Sequence, residues 1–238
     1  MYVLSVIFPC YNESSNIVGI ISSIKSALQG RNDVEIILVD NGSTDSTPQV
    51  LEQALQGEAI KQFKTYRIQK NIGYGHGIME GVRKATGEVI AWTHADLQTD
   101  PEDVIEAYKI FVEYPEFPNC ILKGRRVGRN PLDALFTGGM SILSTLLLRK
   151  HLSDVNAQPK MFHRDFLEKL TESPTDFSLD LYLLFQARLH NFPILEYPVK
   201  FRKRIHGEAK GGGSLKGKWK LIRRTLSYML KLKNDLGR

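Results

Sequence analysis

Three residues with chemistry to offer alternate along one short stretch, WTHADLQTDPED from Trp92 to Asp103: His94, Asp96 and Gln98. An imidazole, a carboxylate and an amide oxygen together suit a Mn2+-like cation and leave positions for phosphate oxygens. An extended loop would point all three the same way. The same residues would also serve as a plain helix cap with polar, solvent-facing neighbours. What must position them is legible on either side. EVIA, just ahead, is of strand type, and Asp100-Pro101-Glu102-Asp103 reads as a helix start: a cap, proline at the first helical position, then acids. The cluster is therefore expected at the carboxyl end of a strand, the edge at which open α/β sheets bind ligands.

The rest of the first half repeats this pattern. Val3 to Phe8 reads as a strand ended by Pro9, followed by a helix capped near Ser14, Ser15 or Asn16 with Ile17, Ile20, Ile21, Ile24 and Leu28 on one stripe. VEIILV, Val34 to Val39, is apolar enough to be buried on both faces and ends in the polar turn Asp40 to Asp45. A helix follows from about Pro48, and Phe63 to Ile68 is a weaker third strand. Asn71 to Gly77 is a glycine-rich turn into a helix ending near Thr86-Gly87, and Glu88 to Thr93 is the fourth strand. Strand–loop–helix alternation of this kind predicts an α/β fold with a mostly parallel sheet and helices on both faces. Gly73, Gly75, Gly77 and Gly81 do not form G-x-G-x-x-G, since position 78 is Ile, which argues against a dinucleotide fingerprint and leaves tight chain packing as the ordinary reading.

The second half is less regular. Cys120 to Lys123 reads as a strand, Leu132 to Arg149 as an apolar helix broken at Gly138-Gly139, and helices follow near Arg164 to Leu170 and Ser178 to His190. A strand lies within Phe192 to Phe201. The tail from Leu215 to Lys233 places Leu215, Trp219, Ile222, Leu226, Met229 and Leu230 at helical spacing among many Lys and Arg. Such a helix either lies on an anionic bilayer or packs its stripe on the domain, and membrane contact is the expectation.

Charge is unevenly placed. From Lys200 onward thirteen Lys or Arg face two acids, a net +11 that exceeds the +6 of the whole chain. A membrane surface, phosphate groups or nucleic acid are the partners such a tail suits. The two cysteines match no metal-ligand spacing and suggest a reducing compartment. The start lacks a basic region, and the longest nearly uncharged apolar run, Leu135 to Leu148, is 14 residues against the ~20 of a spanning helix. A cytoplasmic chain, peripheral at a membrane face, is expected.

Four segments in order, FPCYNE, VDNGSTDST, KNIGYGHGIMEGVRKATGEV and HADLQTDPED, resemble glycosyltransferase family 2 of the GT-A fold over residues 4 to 103. Gly124 to Arg126 and ILEYPVKFRKRIHGEAK extend the resemblance to the dolichyl- or polyprenyl-phosphate sugar transferase branch, whose late motif reads close to R-x-x-G-E-S-K; Ala209 replaces its serine. The resemblance implies a Rossmann-like GT-A domain over 1–210, followed by the basic amphipathic segment 211–238. It implies that Pro9, Tyr11, Glu13 and Asp40 hold the base and ribose of a nucleotide sugar, with Lys70, Asn71 and Gly73 approaching the nucleotide. Asp96 and Gln98 fall on the metal-binding D-x-D region. His94 stands where the family has its first acid, which leaves three readings: a ligand that favours Mn2+ over Mg2+, a site shaped for another donor, or a direct phosphate contact. A divalent metal retained through Asp96 is expected. Arg126, Arg202, Arg204, His206 and Lys210 fall on positions around the diphosphate and the acceptor phosphate, where Arg forks suit phosphate oxygens.

The resemblance also implies inversion at the anomeric carbon, with a UDP- or GDP-sugar as donor. A lipid-phosphate acceptor is anionic near pH 7 and needs no base. A hydroxyl acceptor, as in polysaccharide or lipid-linked-saccharide synthesis, requires one. Asp180, in FSLDLYLL, is the candidate base and Asp176 the fallback, an exposed helix acid being the ordinary alternative. Two other classes stay open: a nucleic-acid-binding protein using its basic tail, though no nucleic-acid motif is present, and an inactive family member, motivated by His94.

Overall fold

The computed structural model describes residues 2–56, 61–128, 131–202 and 215–236. The chain runs β1 (Leu4–Cys10), α1 (Ser14–Leu28), β2 (Val34–Asp40), α2 (Thr47–Ala54), β3 (Phe63–Arg67), α3 (Tyr74–Lys84), β4 (Val89–Trp92) and α4 (Pro101–Val112). It continues with β5 (Ile121–Val127), α5 (Pro131–Leu148), β6 (Lys160–His163), a 3-10 turn (Arg164–Lys169), α6 (Leu179–Leu189), β7 (Ile194–Lys200) and α7 (Leu215–Leu236). Seven strands form one sheet in the order β3-β2-β1-β4-β6-β5-β7.

Strand alternation divides the core in two. Leu4, Val6 and Phe8 of β1, with Ile36 and Leu38 of β2, face a cluster closed by Ile17, Ile20, Ile21 and Ile24 of α1 and by Val104, Ile105 and Phe111 of α4. Ile7, Ile37 and Val39 face the other side, covered by Ile78 and Val82 of α3, Leu179 to Phe185 of α6, and Met229 and Leu232 of α7. Two-faced burial is why VEIILV is apolar at every position except Glu35, whose buried carboxylate is answered by Ser5 and Lys64. α4 starts as its sequence predicts: the Asp100 carboxylate accepts from the Glu102 N–H at 3.2 Å, and Pro101 occupies the first turn with Glu102 and Asp103.

Three local expectations are corrected. Pro9 does not end β1, which continues to Cys10. Beyond Ile7, β1 pairs with β2 alone, so Pro9 lies where one ladder side has already closed and a missing N–H is tolerated. The segment 164–169 is a 3-10 turn rather than an α-helix. Finally, Lys160–His163 forms a strand that no pattern in the sequence marks. β6 is antiparallel to both β4 and β5, whereas β5 and β7 run parallel. It is four residues long, too short for any hydrophobic period to show. Its reversed direction has a consequence for the site: the carboxyl ends of the other six strands share one edge of the sheet, and β6 brings its beginning to that edge.

Candidate functional site

Two loops at this edge are laced together. After β1, the Asn12 N–H donates to Ser43 Oγ at 3.0 Å, the Glu13 N–H to Thr47 Oγ1 at 2.9 Å and the Ser14 N–H to Asp45 Oδ2 at 3.3 Å. Asp40, at the end of β2, is buried; its Oδ1 accepts from the Ser43 N–H at 2.9 Å and its Oδ2 lies 3.3 Å from Arg67 Nε. Pro9, Tyr11, Glu13 and Asp40 thus share one rim. The next loop joins them. Gly42 has φ +72 and a Cβ there would stand 2.4 Å from the Asn71 nitrogen, so the Lys70–Asn71 backbone presses directly on the β2 loop. Asn41 Nδ2 donates to the Gly73 carbonyl at 2.9 Å. Gly73 in turn, at φ +152, leaves no room for a Cβ, which would meet the Thr175 carbonyl at 2.3 Å.

The fourth loop carries His94, Asp96 and Gln98. It is bent rather than extended: Leu97 lies in the left-handed region at φ 58, and Gln98 N–H donates to Asp96 Oδ1 at 3.1 Å. A left-handed non-glycine residue costs on the order of 1–2 kcal/mol, and here the bend is held by surrounding bonds. Thr93 and Thr99 hydroxyls close the loop's base at 3.1 Å. Arg202, just past β7, is bound to it three ways: its N–H donates to the Gln98 carbonyl at 2.8 Å, its carbonyl accepts from Gln98 Nε2 at 3.2 Å, and its guanidinium pairs with Asp100 at 2.9 Å. Arg126, near the end of β5, is gripped by Asp154 through backbone and guanidinium, and its guanidinium lies over the Phe201 ring. Burial works against the Asp154 charge, but bonding to Arg126 more than offsets it and holds this carboxyl below its ordinary range. Arg204, His206 and Lys210 lie outside the described residues.

Behind this rim is a polar cluster that sequence reasoning missed apart from Asp180. That residue is 2% exposed, so the reading of an exposed helix acid does not hold. Its carboxylate accepts from Trp92 Nε1 and Gln158 Nε2, each at 3.0 Å, and lies 3.6 Å from Lys160 Nζ. Lys160 is fully buried and pairs in register with Trp92 on one side and Lys123 on the other. Burial pushes its amine down to about 8, against the pull of Asp180. Lys123, also buried, is answered by Glu196 at 2.8 Å. Gln158 Nε2 also donates to the Tyr74 hydroxyl at 3.2 Å, and the Tyr74 ring centroid is 6.0 Å from that of His94. Burial holds His94 below its ordinary range; Asp96 and Asp180 oppose this, Lys160 and Arg126 reinforce it. A neutral imidazole keeps a lone pair for a cation. Polar residues crowded into the NAQPK stretch, Asn156 to Lys160, were the only signal that this segment reaches the site.

Sheet order and edge loops together define a GT-A fold. Glucosyl-3-phosphoglycerate synthase from Mycobacterium tuberculosis, solved with Mn2+, UDP and phosphoglyceric acid, superposes with a TM-score of 0.74 at 18% identity over 98% of this chain and 78% of that one. A mannosyltransferase from Pyrobaculum calidifontis, solved with GDP-Man and Mn2+, does so with a TM-score of 0.65 at 19% identity over 98% and 73%. Residues 5–171 match Glycosyl transferase family 2, and the chain belongs to that family. Among curated relatives, dolichol-phosphate mannosyltransferase of Pyrococcus furiosus is 30% identical over 222 residues, 90% of this chain and 60% of the relative. Undecaprenyl-phosphate 4-deoxy-4-formamido-L-arabinose transferase of Aeromonas hydrophila is 27% identical over 227 residues, 88% of this chain and 63% of the relative. The chain therefore spans about three fifths of the length of these relatives.

Proposed function

We propose that this chain transfers a sugar, with inversion, from a nucleotide-sugar donor to a polyprenyl or dolichyl phosphate. One observation carries the reading: the nucleotide-side residues around Asp40, the His94–Gln98 loop and Arg202 meet along one sheet edge through linked contacts, and Arg126 lies over the ring of Phe201, the residue before Arg202. The two curated relatives are polyprenyl-phosphate sugar transferases by name. Pro9, Tyr11, Glu13 and Asp40 hold the nucleoside, Lys70, Asn71 and Gly73 flank it, and Arg126 and Arg202 face the phosphates. The acceptor oxygen forms its bond to the anomeric carbon as the bond to the diphosphate breaks on the opposite face. An anionic acceptor needs no base, and in this reading Asp180 serves as the counter-ion that keeps Lys160 charged. As base for a hydroxyl acceptor, Asp180 would have to give up Trp92, Gln158 and Lys160; the fallback, Asp176, is paired with Arg224.

A divalent ion fits the donor set of Asp96, neutral His94 and the Gln98 oxygen, and when bound it would offset charge growing on the leaving diphosphate. Among the described residues no group of three or more His, Cys, Asp or Glu could hold a metal. Melting curves with UDP or GDP, with and without Mn2+, test the fit of the ion. Nucleotide and Mn2+ together should raise Tm by roughly 5–10 °C at 100-fold excess over Kd, well beyond either alone. Flat melting points across both nucleotides with Mn2+ would sink the reading.

No described helix is long and apolar enough to cross a membrane. α7 is docked through Met229 and Leu232, but Trp219 (69% exposed) and Leu230 (49%) remain outside, and α5, which lies against α7, exposes Ile142 (64%) and Leu146 (72%). With the Lys and Arg of 211–238, this supports peripheral attachment to an anionic membrane. Full-length chain should co-sediment with vesicles rich in phosphatidylserine, with a blue shift in Trp219 fluorescence that phosphatidylcholine alone does not produce. Equal behaviour with both lipids would refute electrostatic attachment.

A further inference from the structure

A continuous stack runs from α7 to His94. Arg224 Nε lies 3.1 Å from Asp176 Oδ2, and its guanidinium carbon is 5.0 Å from the Phe177 ring centroid. Phe177 stacks flat on Tyr74, 4.6 Å between centroids at 9°. Tyr74 is next to His94 and is pinned at its hydroxyl by Gln158, itself held by Asp180. The segment bearing Asp176 and Phe177 cannot slide freely. His76 N–H donates to the Thr175 carbonyl at 2.9 Å, and the Asp176 carboxylate accepts from Ser178 N–H at 2.8 Å at the start of α6.

We propose that Tyr74 and Phe177 are positioning residues for His94, and that Arg224 seats them, so that the docking of α7 sets the geometry of the loop that grips the donor diphosphate. This rests on the reading of His94 to Gln98 as the diphosphate loop. The physical reason is directional. The apolar anchors Met229 and Leu232 hold the helix by buried area, which tolerates small shifts. The Arg224 guanidinium, by contrast, is placed by two fixed groups at once: the Asp176 carboxylate, as an ion pair without an aligned hydrogen bond, and the face of the Phe177 ring. Removing it releases the outer face of Phe177, which among the described residues stacks on Tyr74.

The test uses the full chain with 13C-labelled histidine. Ring signals of His94, assigned by their loss in His94→Gln, are compared in Arg224→Ala, Arg224→Lys, Phe177→Leu and Arg223→Ala. Arg223 is exposed and adjacent, so its loss removes the same charge without touching the stack. Arg224→Ala and Phe177→Leu should move the His94 signals and weaken UDP or GDP binding with Mn2+ by roughly 3- to 30-fold. Arg224→Lys, which keeps the charge but not the planar guanidinium, should recover only part of either, and Arg223→Ala should change neither. Unmoved His94 signals in a folded Arg224→Ala chain, or an equal shift in Arg223→Ala, would overturn the proposal. The ring signals are read without nucleotide. Failure of the wild-type chain to bind UDP or GDP would therefore defeat the functional reading and leave this coupling to be judged on its own measurement.

Discussion

Asp96→Asn is expected to cut sugar transfer about 100- to 1,000-fold, the usual cost of removing one preorganised group that stabilises charge in the transition state. The substitution is chosen for shape. Asparagine keeps an oxygen for the Gln98 N–H, so the bend at Leu97 should persist, while the charge is lost. Asp96 is buried between His94 and Gln98, and neither neighbour carries a negative charge that would replace it. The Mn2+-dependent rise in melting temperature with UDP or GDP should therefore vanish as well. Gln98→Ala should cost less, because its backbone, rather than its side chain, makes the shorter bond to Arg202. Steady-state release of nucleoside diphosphate measures the first effect and melting curves the second. Transfer that survives Asp96→Asn with its Mn2+ response intact would remove Asp96 from the diphosphate site.

Lys160→Met is expected to cost about 3–5 kcal/mol of stability, because it leaves the buried Asp180 carboxylate without its cation. At roughly 2–4 °C per kcal/mol for a chain of this size, Tm should fall by about 10 °C. Lys160→Met with Asp180→Asn should recover part of that loss, since the second change removes the unpaired charge while keeping an acceptor for Trp92 and Gln158. Simple addition of the two single effects would show that the pair does not interact. The pH dependence has a definite sign. In the folded chain Lys160 loses its proton at about 8, against an ordinary value of 10.5. Between these values the unfolded chain binds more protons than the native one, so this residue's contribution to stability rises with pH. Below about 8 the native chain carries the whole cost of burying the charge. Melting curves of the wild-type chain between pH 7.5 and 9.5 check the sign of this contribution.

Local pattern was enough for much of this molecule. Two-faced apolar runs such as VEIILV imposed buried strands, the Asp100-Pro101 cap imposed the start of α4, and the alternation of strand and helix imposed a parallel sheet, because each signal lies within a few residues and acts through backbone preference or burial. The HADLQ stretch at the end of β4 was legible for the same reason. Only the tertiary structure decided the rest. β6 is too short to announce itself, yet its antiparallel insertion between β4 and β5 delivers Gln158 and Lys160 to the edge and turns Asp180 from a surface acid into a buried counter-ion. The tail's apolar spacing could not say which residues dock: Met229 and Leu232 are buried while Trp219 and Leu230 stay exposed, a division set by the neighbouring surface of α5 and α6 and not by helical period. The stack from Arg224 to His94 joins residues some 130 positions apart, and no periodicity in a chain encodes a contact made only when its elements are packed.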